Sequence, residues 1–235
     1  MRVTPIALLG LGLTACAPEP VAADWLGAPI APERQACAGA RAAPVNQTVA
    51  LRLLIDEGAS LDAMLNQTRR LRGFYEPYGL RFEVQHASRV SVGAPLDGDE
   101  PAAVLASLGR LIDEHAQVGV VTVALLPDLA APGSPADRYF SELDGLTLSP
   151  ALVADRPALA PLVERDAFGP LILLSEVDLA HRHPAHLDLT LAHELGHALG
   201  LLHEGDSDNL MHDGPLRCAP HLTDAQLAAA NWSLE

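Results

Sequence analysis

The chain has 235 residues, 49% of them hydrophobic, enough for one compact domain with a substantial core but not for several. Its formal net charge is −15, and the only cations besides histidine are arginines. So acidic a surface argues against nucleic acid as a partner and against adhesion to anionic lipid through charge, since both need clustered positive side chains, and it favours solubility instead. Aromatic residues make up only 4%, so the core must rest on Leu, Val, Ile and Ala.

The start of the chain reads as an export signal. Arg2 supplies a thin positive end, and the apolar run Ile6–Leu13 is too short to span a bilayer. The run ends in Leu13-Thr14-Ala15-Cys16, which resembles a bacterial lipobox. That resemblance implies removal of residues 1–15, lipidation of Cys16 and, with Ala17 after the cysteine, an outer-membrane lipoprotein. Ordinary cleavage after the Ala15-Cys16-Ala17 pattern is the alternative, and either way the protein is exported. Residues 16–45, rich in Ala and Pro, suit a flexible tether. Two cysteines then remain, Cys37 and Cys218, and in an oxidising compartment such a pair reads as a disulfide. A latency role for Cys37 as a thiolate is the rival reading.

From residue 46 the pattern becomes regular. Val49–Ile55 is an apolar run of strand length. Ser60 suits an N-cap, and Leu61, Met64, Leu65, Thr68, Leu71, Tyr75 and Tyr78 mark one face of a helix ended by Pro77 and Gly79. Leu80–Val84 alternates and predicts a strand with one wet face. Pro101 opens a second helix with Val104, Leu105, Leu108, Leu111, Ile112 and His115 on one side; His115 is an ordinary packed or solvated histidine there. Val118–Leu126, nearly all apolar, predicts a strand buried on both faces. Residues 127–169 are rich in Pro and Gly, with a short strand expected near Leu146–Leu152, and Leu171–Leu174 predicts one more. His181, His183 and His186 suit a solvated helix entrance better than a second metal cluster. Strands alternating with helices on one sheet make the fold α+β, or α/β-like.

The chemistry concentrates in His193-Glu194-Leu195-Gly196-His197-Ala198-Leu199-Gly200-Leu201-Leu202-His203. His193 and His197 are four residues apart, so on a helix they lie on one face, one turn apart. Gly200 lets the chain leave the helix through positive φ, and His203 then supplies a third nitrogen. Three protein nitrogens leave the fourth position of a tetrahedral zinc ion to water, the pattern of a catalytic rather than a structural site. Glu194 points off the ligand line, where it serves as a base. Leu187, Leu191, Leu195 and Leu199 form the opposite, apolar face. The bland alternatives are incidental histidines on a buried helix, or zinc held without turnover.

Asp206-Ser207-Asp208-Asn209-Leu210-Met211-His212 follows closely. Together with the long histidine motif it resembles the metzincins, zinc endopeptidases in which that motif is followed by a methionine turn. The resemblance implies zinc bound by His193, His197 and His203, Glu194 as general base, and Met211 packed beneath the metal. It implies a domain over 46–235 with an N-terminal lobe (46–203) of a twisted, mostly parallel sheet and two long helices. A small irregular C-terminal lobe (204–235) with a terminal helix completes it. It implies a protein or peptide as substrate. Asp213 stands where some of these families place a tyrosine two residues after the methionine, so help from a tyrosine hydroxyl is not expected. Asp206 and Asp208 suit turn caps. Thr223 and Gln226 form a capping box, Leu222 and Leu227 its staple, and Trp232 would pack the terminal helix. The motif specifies metal chemistry and not the acyl group, so a non-proteolytic zinc amidohydrolase, or an envelope protein that only captures zinc, stays open.

Overall fold

The computed structural model describes residues 28–29, 46–92, 96, 101–130, 144–154, 159–163, 168–182, 188–214, 216 and 220–230. The lipobox with Cys16, the tether, the cysteines Cys37 and Cys218, the side chains of His181, His183 and His186, Leu187, and Trp232 lie outside them. None of the described helices is long and apolar enough to cross a membrane.

Five strands form one sheet in the order β2-β1-β3-β5-β4, where β1 is Gln47–Asp56, β2 Leu80–Val90, β3 Val121–Leu126, β4 Gly145–Leu148 and β5 Leu171–Ser175. All neighbours run parallel except β4, which pairs antiparallel with β5, Gly145 facing Leu174 and Thr147 facing Ile172. The three inner strands carry the apolar runs. Every residue of β3 and β5 is buried, as expected for parallel strands covered on both faces. On the β2 edge Leu80, Phe82 and Val84 are buried while Arg81, Glu83 and Gln85 are exposed, the alternation of a strand with one wet face. The fold is thus mixed α/β with a mostly parallel sheet.

Alternation along the strands creates two cores. On one face Val49, Leu51, Leu53, Ile55, Val123, Leu125, Ile172 and Leu174 pack with α1 (Leu61–Tyr75) and with the helix that carries the histidine motif. On the other, Leu54, Ala124, Leu126, Leu171 and Leu173 pack with Leu108, Leu111 and Ile112 of α2 (Pro101–His115). The two long helices therefore cover opposite faces. Ser60 caps α1 as its position suggests, its hydroxyl accepting from the Ala63 amide at 3.4 Å. His115 is a packed histidine whose carbonyl accepts from the Thr122 hydroxyl at 3.0 Å.

Several boundaries differ from expectation. The third strand starts at Val121 rather than Val118, because Gly119 takes φ +77° and the Val120 amide turns back to the Gln117 carbonyl. Tyr78 ends a 3-10 turn over Glu76–Tyr78 instead of continuing α1, since Pro77 and Gly79, the latter at φ +87°, break the α-helical path. The fourth strand stops at Leu148. Ser149 and Pro150 are an N-cap and first-turn proline, and the chain forms the short helix α3 (Pro150–Ala154), followed by α4 (Ala160–Val163). Between β5 and the metal motif lies a helix not expected there, α5 (Glu176–Arg182), whose Asp178 amide is capped by the Ser175 hydroxyl.

Candidate metal centre

The histidine motif begins on α6 (Thr190–Ala198), which packs between the sheet and α1 through the buried Leu191, Leu195 and Leu199. Its start is held from α1. The Leu191 amide donates to Gln67 Oε1 at 3.2 Å, and Gln67 Nε2 donates to Asp188 Oδ2 at 2.5 Å. Gln67 is 3% exposed, a polar side chain on a helix face otherwise buried among apolar ones. The Tyr75 hydroxyl donates to the Ala192 carbonyl at 3.0 Å. Burial raises the pKa of that hydroxyl far above the usual tyrosine value, and the neighbouring Tyr78 adds to the shift, so it stays a donor.

The helix ends in a Schellman motif. Gly200 adopts φ +87°, its amide returns to the His197 carbonyl, and the Leu201 amide returns to the Gly196 carbonyl, each at 2.9 Å. The turn has a chemical consequence. It brings the Leu201 carbonyl to 2.8 Å from His197 Nδ1. The Leu210 carbonyl, just before Met211, lies 2.8 Å from His193 Nδ1 in the same way. A carbonyl only accepts, so both Nδ1 atoms carry the proton and both Nε2 atoms present a lone pair.

Those lone pairs converge. His193 Nε2 lies 3.3 Å and His197 Nε2 3.0 Å from His203 Nε2, and the ligand atoms of the three residues all fall within 4.8 Å of one another. With His203 also deprotonated at Nε2, the three lone pairs face one another, an arrangement that a cation between them reconciles. A tetrahedral zinc with bonds of about 2.0–2.1 Å sets its nitrogens about 3.3–3.4 Å apart, close to the two separations from His203, and three imidazole nitrogens are a donor set that suits that ion. Burial is the main influence on His193 and lowers its pKa. The bond to the Leu210 carbonyl and the charge of Asp213 pull it back up, while His203 and His212 push it further down. On balance His193 is held neutral, the form a metal requires.

Glu194 is turned away from the ligand line and is only 7% exposed. It lies against β4, where the Thr147 hydroxyl sits 2.6 Å from its Oε2 and 2.9 Å from its main-chain oxygen. Gly145 lets the carboxylate approach the strand, for a Cβ there would stand 2.7 Å from Glu194 Cγ. Neither Gly145 nor Thr147 was singled out by the sequence. Gly145 stands one residue before the strand expected near Leu146–Leu152 and Thr147 within it, but their contact to Glu194 spans about fifty positions and leaves no local mark.

Beneath the helix, a Cβ on Gly196 would meet Met211 Sδ at 2.3 Å, so the fully buried Met211 packs directly under the histidine-bearing turn. The turn around it is fastened by a pair of amides. Asn209 Nδ2 donates to Gln226 Oε1 at 2.8 Å, Gln226 Nε2 donates to Asn209 Oδ1 at 3.1 Å, and the same Oδ1 accepts from the Met211 amide at 2.9 Å. Gln226 belongs to α7 (Asp224–Ala229), where it also completes the expected capping box with Thr223. Asp206 caps the turn as expected, accepting from the Asp208 amide at 3.0 Å. Asp213 is exposed, its carboxylate 4.0 Å from His212 Nδ1, and supplies no hydroxyl where a tyrosine would.

A mostly parallel five-stranded sheet carrying three convergent imidazoles at one of its helices defines the class of site. No protein-family model matches the chain, and no curated protein sequence does either. Among solved structures it is similar to metalloproteinase-II of Bacteroides fragilis, at 15% identity and a TM-score of 0.51, over 81% of this chain and 54% of that one. The chain thus spans about half the length of that protein, and at this identity the likeness is one of fold. Archaemetzincin of Methanopyrus kandleri aligns over 82% of this chain and 91% of its own, at 17% identity, with a TM-score of 0.39, a superposition too loose to carry detail.

Proposed function

We propose that this protein is a zinc-dependent endopeptidase, with His193, His197 and His203 as the metal ligands and Glu194 as the general base. The observation that carries the reading is the pairing of three convergent Nε2 atoms, two of them with Nδ1 committed to backbone carbonyls, with a buried carboxylate on the adjacent residue. Zinc held there would bring the pKa of a coordinated water towards ~7 and polarise the scissile carbonyl. Glu194 accepts a proton from the attacking water and returns it to the leaving amine. Met211 keeps the floor of the site filled, and Leu210 and Leu201 keep two rings in the correct tautomer. Among the described residues the side of β4 away from β5 has no strand neighbour, which suits a substrate peptide lying extended along it.

The same reading extends to the chain as a whole. Residues 1–15 are removed on export, Cys16 carries the lipid, residues 16–45 tether the catalytic domain to the outer membrane, and Cys37 pairs with Cys218. Labelling with a fatty acid tests the anchor, and thiol titration of the unfolded mature protein tests the bond.

The mechanism is tested with the full chain, loaded with zinc and incubated with a peptide library with and without a chelator. Cleavage that the chelator abolishes is expected. Glu194→Gln should keep stoichiometric zinc and lose activity by about 10²–10⁴-fold, the usual contribution of a general base. Near-wild-type cleavage by that variant would remove Glu194 from the mechanism. Zinc binding without any cleavage by the wild type would favour a capture protein.

A further inference from the structure

We infer that Thr147, on the edge strand β4, is a positioning residue for Glu194. The inference rests on the reading of Glu194 as base and extends it to a residue some fifty positions away.

Glutamate has three rotatable side-chain bonds, so a carboxylate meant to exchange protons with a bound substrate must be held from outside its own helix. Two residues of β4 do this. Thr147 Oγ1 lies 2.6 Å from Glu194 Oε2, the length of a hydroxyl donating to a charged oxygen. The same hydroxyl is 2.9 Å from the Glu194 main-chain oxygen. It has a single proton, and the carboxylate is both nearer and the stronger acceptor, so the proton belongs to Oε2. Gly145 lies two residues away on the same face of the strand, and the place its Cβ would take is 3.0 Å from both Cδ and Oε1. The carboxylate is therefore backed by bare strand at Gly145 and tied by the hydroxyl at Thr147.

The strand is itself well anchored. Thr147 faces Ile172 across the antiparallel pair with β5, and Leu148, on the opposite face, is buried in the second core. The same short strand thus has one edge paired with the sheet, one face against the base, and its outer edge where an extended peptide would lie. Thr147 sets the distance from the base to that peptide. A misplacement of about 1 Å at such a position can cost about 10²-fold in rate.

The test compares the zinc-loaded full chains of wild type, Thr147→Val, Thr147→Ser and Glu194→Gln, with Thr147→Val also made in the Glu194→Gln background. Crystal structures of metal-free wild type and Thr147→Val accompany them. Thr147→Val should bind zinc as the wild type does, lose kcat by about 10–100-fold with KM within about threefold, and show the Glu194 carboxylate displaced. Thr147→Ser, which keeps the hydroxyl and loses the methyl, should restore kcat to within about threefold. In the Glu194→Gln background Thr147→Val should cost less than about threefold, because the residue acts through the carboxylate. Equal losses in the Val and Ser variants, an unmoved carboxylate, or a full loss in the Glu194→Gln background would each overturn the inference. If Glu194→Gln cleaves like the wild type, the assignment of Glu194 as base fails by itself, and if the wild type cleaves nothing, the peptidase reading fails by itself. The carboxylate position in the Thr147→Val crystals then decides whether Thr147 places Glu194.

Discussion

His193 and His197 stand on a helix whose place is set by Gln67 at its start, by Tyr75 at Ala192 and by a row of leucines against the sheet. His203 stands six residues further on, exposed, on chain without regular structure. What fixes that chain is a set of bonds around the methionine turn. The Glu204 amide reaches the Met211 carbonyl at 2.8 Å, and Asn209 and Gln226 lock the turn to the terminal helix. Two nitrogens of one site are thus placed by periodicity and apolar burial, and the third by a short polar network. The first arrangement is insensitive to the loss of any one polar contact. The second depends on every member, because a buried amide left without its partner carries the full cost of desolvation.

The contrast can be broken most directly at the ligands. His203→Ala and His197→Ala should both abolish tight zinc binding, with losses beyond the ~10–100-fold that follow removal of an outer partner. Only His197→Ala should also destabilise the metal-free protein, by about 1–3 kcal/mol, since its ring is buried and its loss strands the Leu201 carbonyl. Equilibrium dialysis and thermal unfolding of the metal-free chains separate the two effects. An equal drop in Tm for both would mean that His203 is built into the core after all.

The polar network comes next. Asn209→Ala removes the partner of the Gln226 amide and of the Met211 amide together, and should cost about 2–3 kcal/mol while weakening zinc binding through the displaced turn. Gln226→Ala should be strongly non-additive with it, as measured by denaturant unfolding of the double variant. Gly196→Ala tests the packing beneath the helix. A methyl group there collides with the buried Met211 thioether and should cost about 1–3 kcal/mol, with zinc retained.

Acid gives the gentlest perturbation. Folded His193 has a lowered pKa, chiefly from burial, whereas the unfolded chain takes up that proton near the ordinary value of about 6.5. The unfolded state therefore binds more protons below that pH. The contribution of His193 is intact above it and is lost as pH falls. Metal release and a falling Tm of the metal-free protein should both appear as the pH drops from 7 to 5. His193→Asn should flatten the second trend; a Tm profile unchanged by that substitution would contradict the sign argued here.

The strand runs at 49–55 and 171–174, both long helices and the capping box at Thr223 were legible because each is a local pattern of period 2 or 3.6, or a cap with its own hydrogen-bond logic. Cap signals at Ser149-Pro150 and Ser175 are equally local, and they open α3 and α5, helices too short for apolar periodicity to mark. The lipid anchor and the Cys37–Cys218 bond remain expectations on residues outside the described structure.

The residue types of the motif, the four-residue spacing of His193 and His197 and the glycine that frees the chain after them all belong to one short stretch. They could be read without a structure, since a helix converts spacing into direction with no help from the rest of the molecule. Folding alone settled that the edge strand runs antiparallel, that Thr147 and Gly145 come to rest on Glu194, and that the Leu210 carbonyl orients His193. Those contacts join segments 17 to about 50 residues apart, and their geometry follows from how two apolar faces of one sheet are buried, a sum over the whole core that no local window contains.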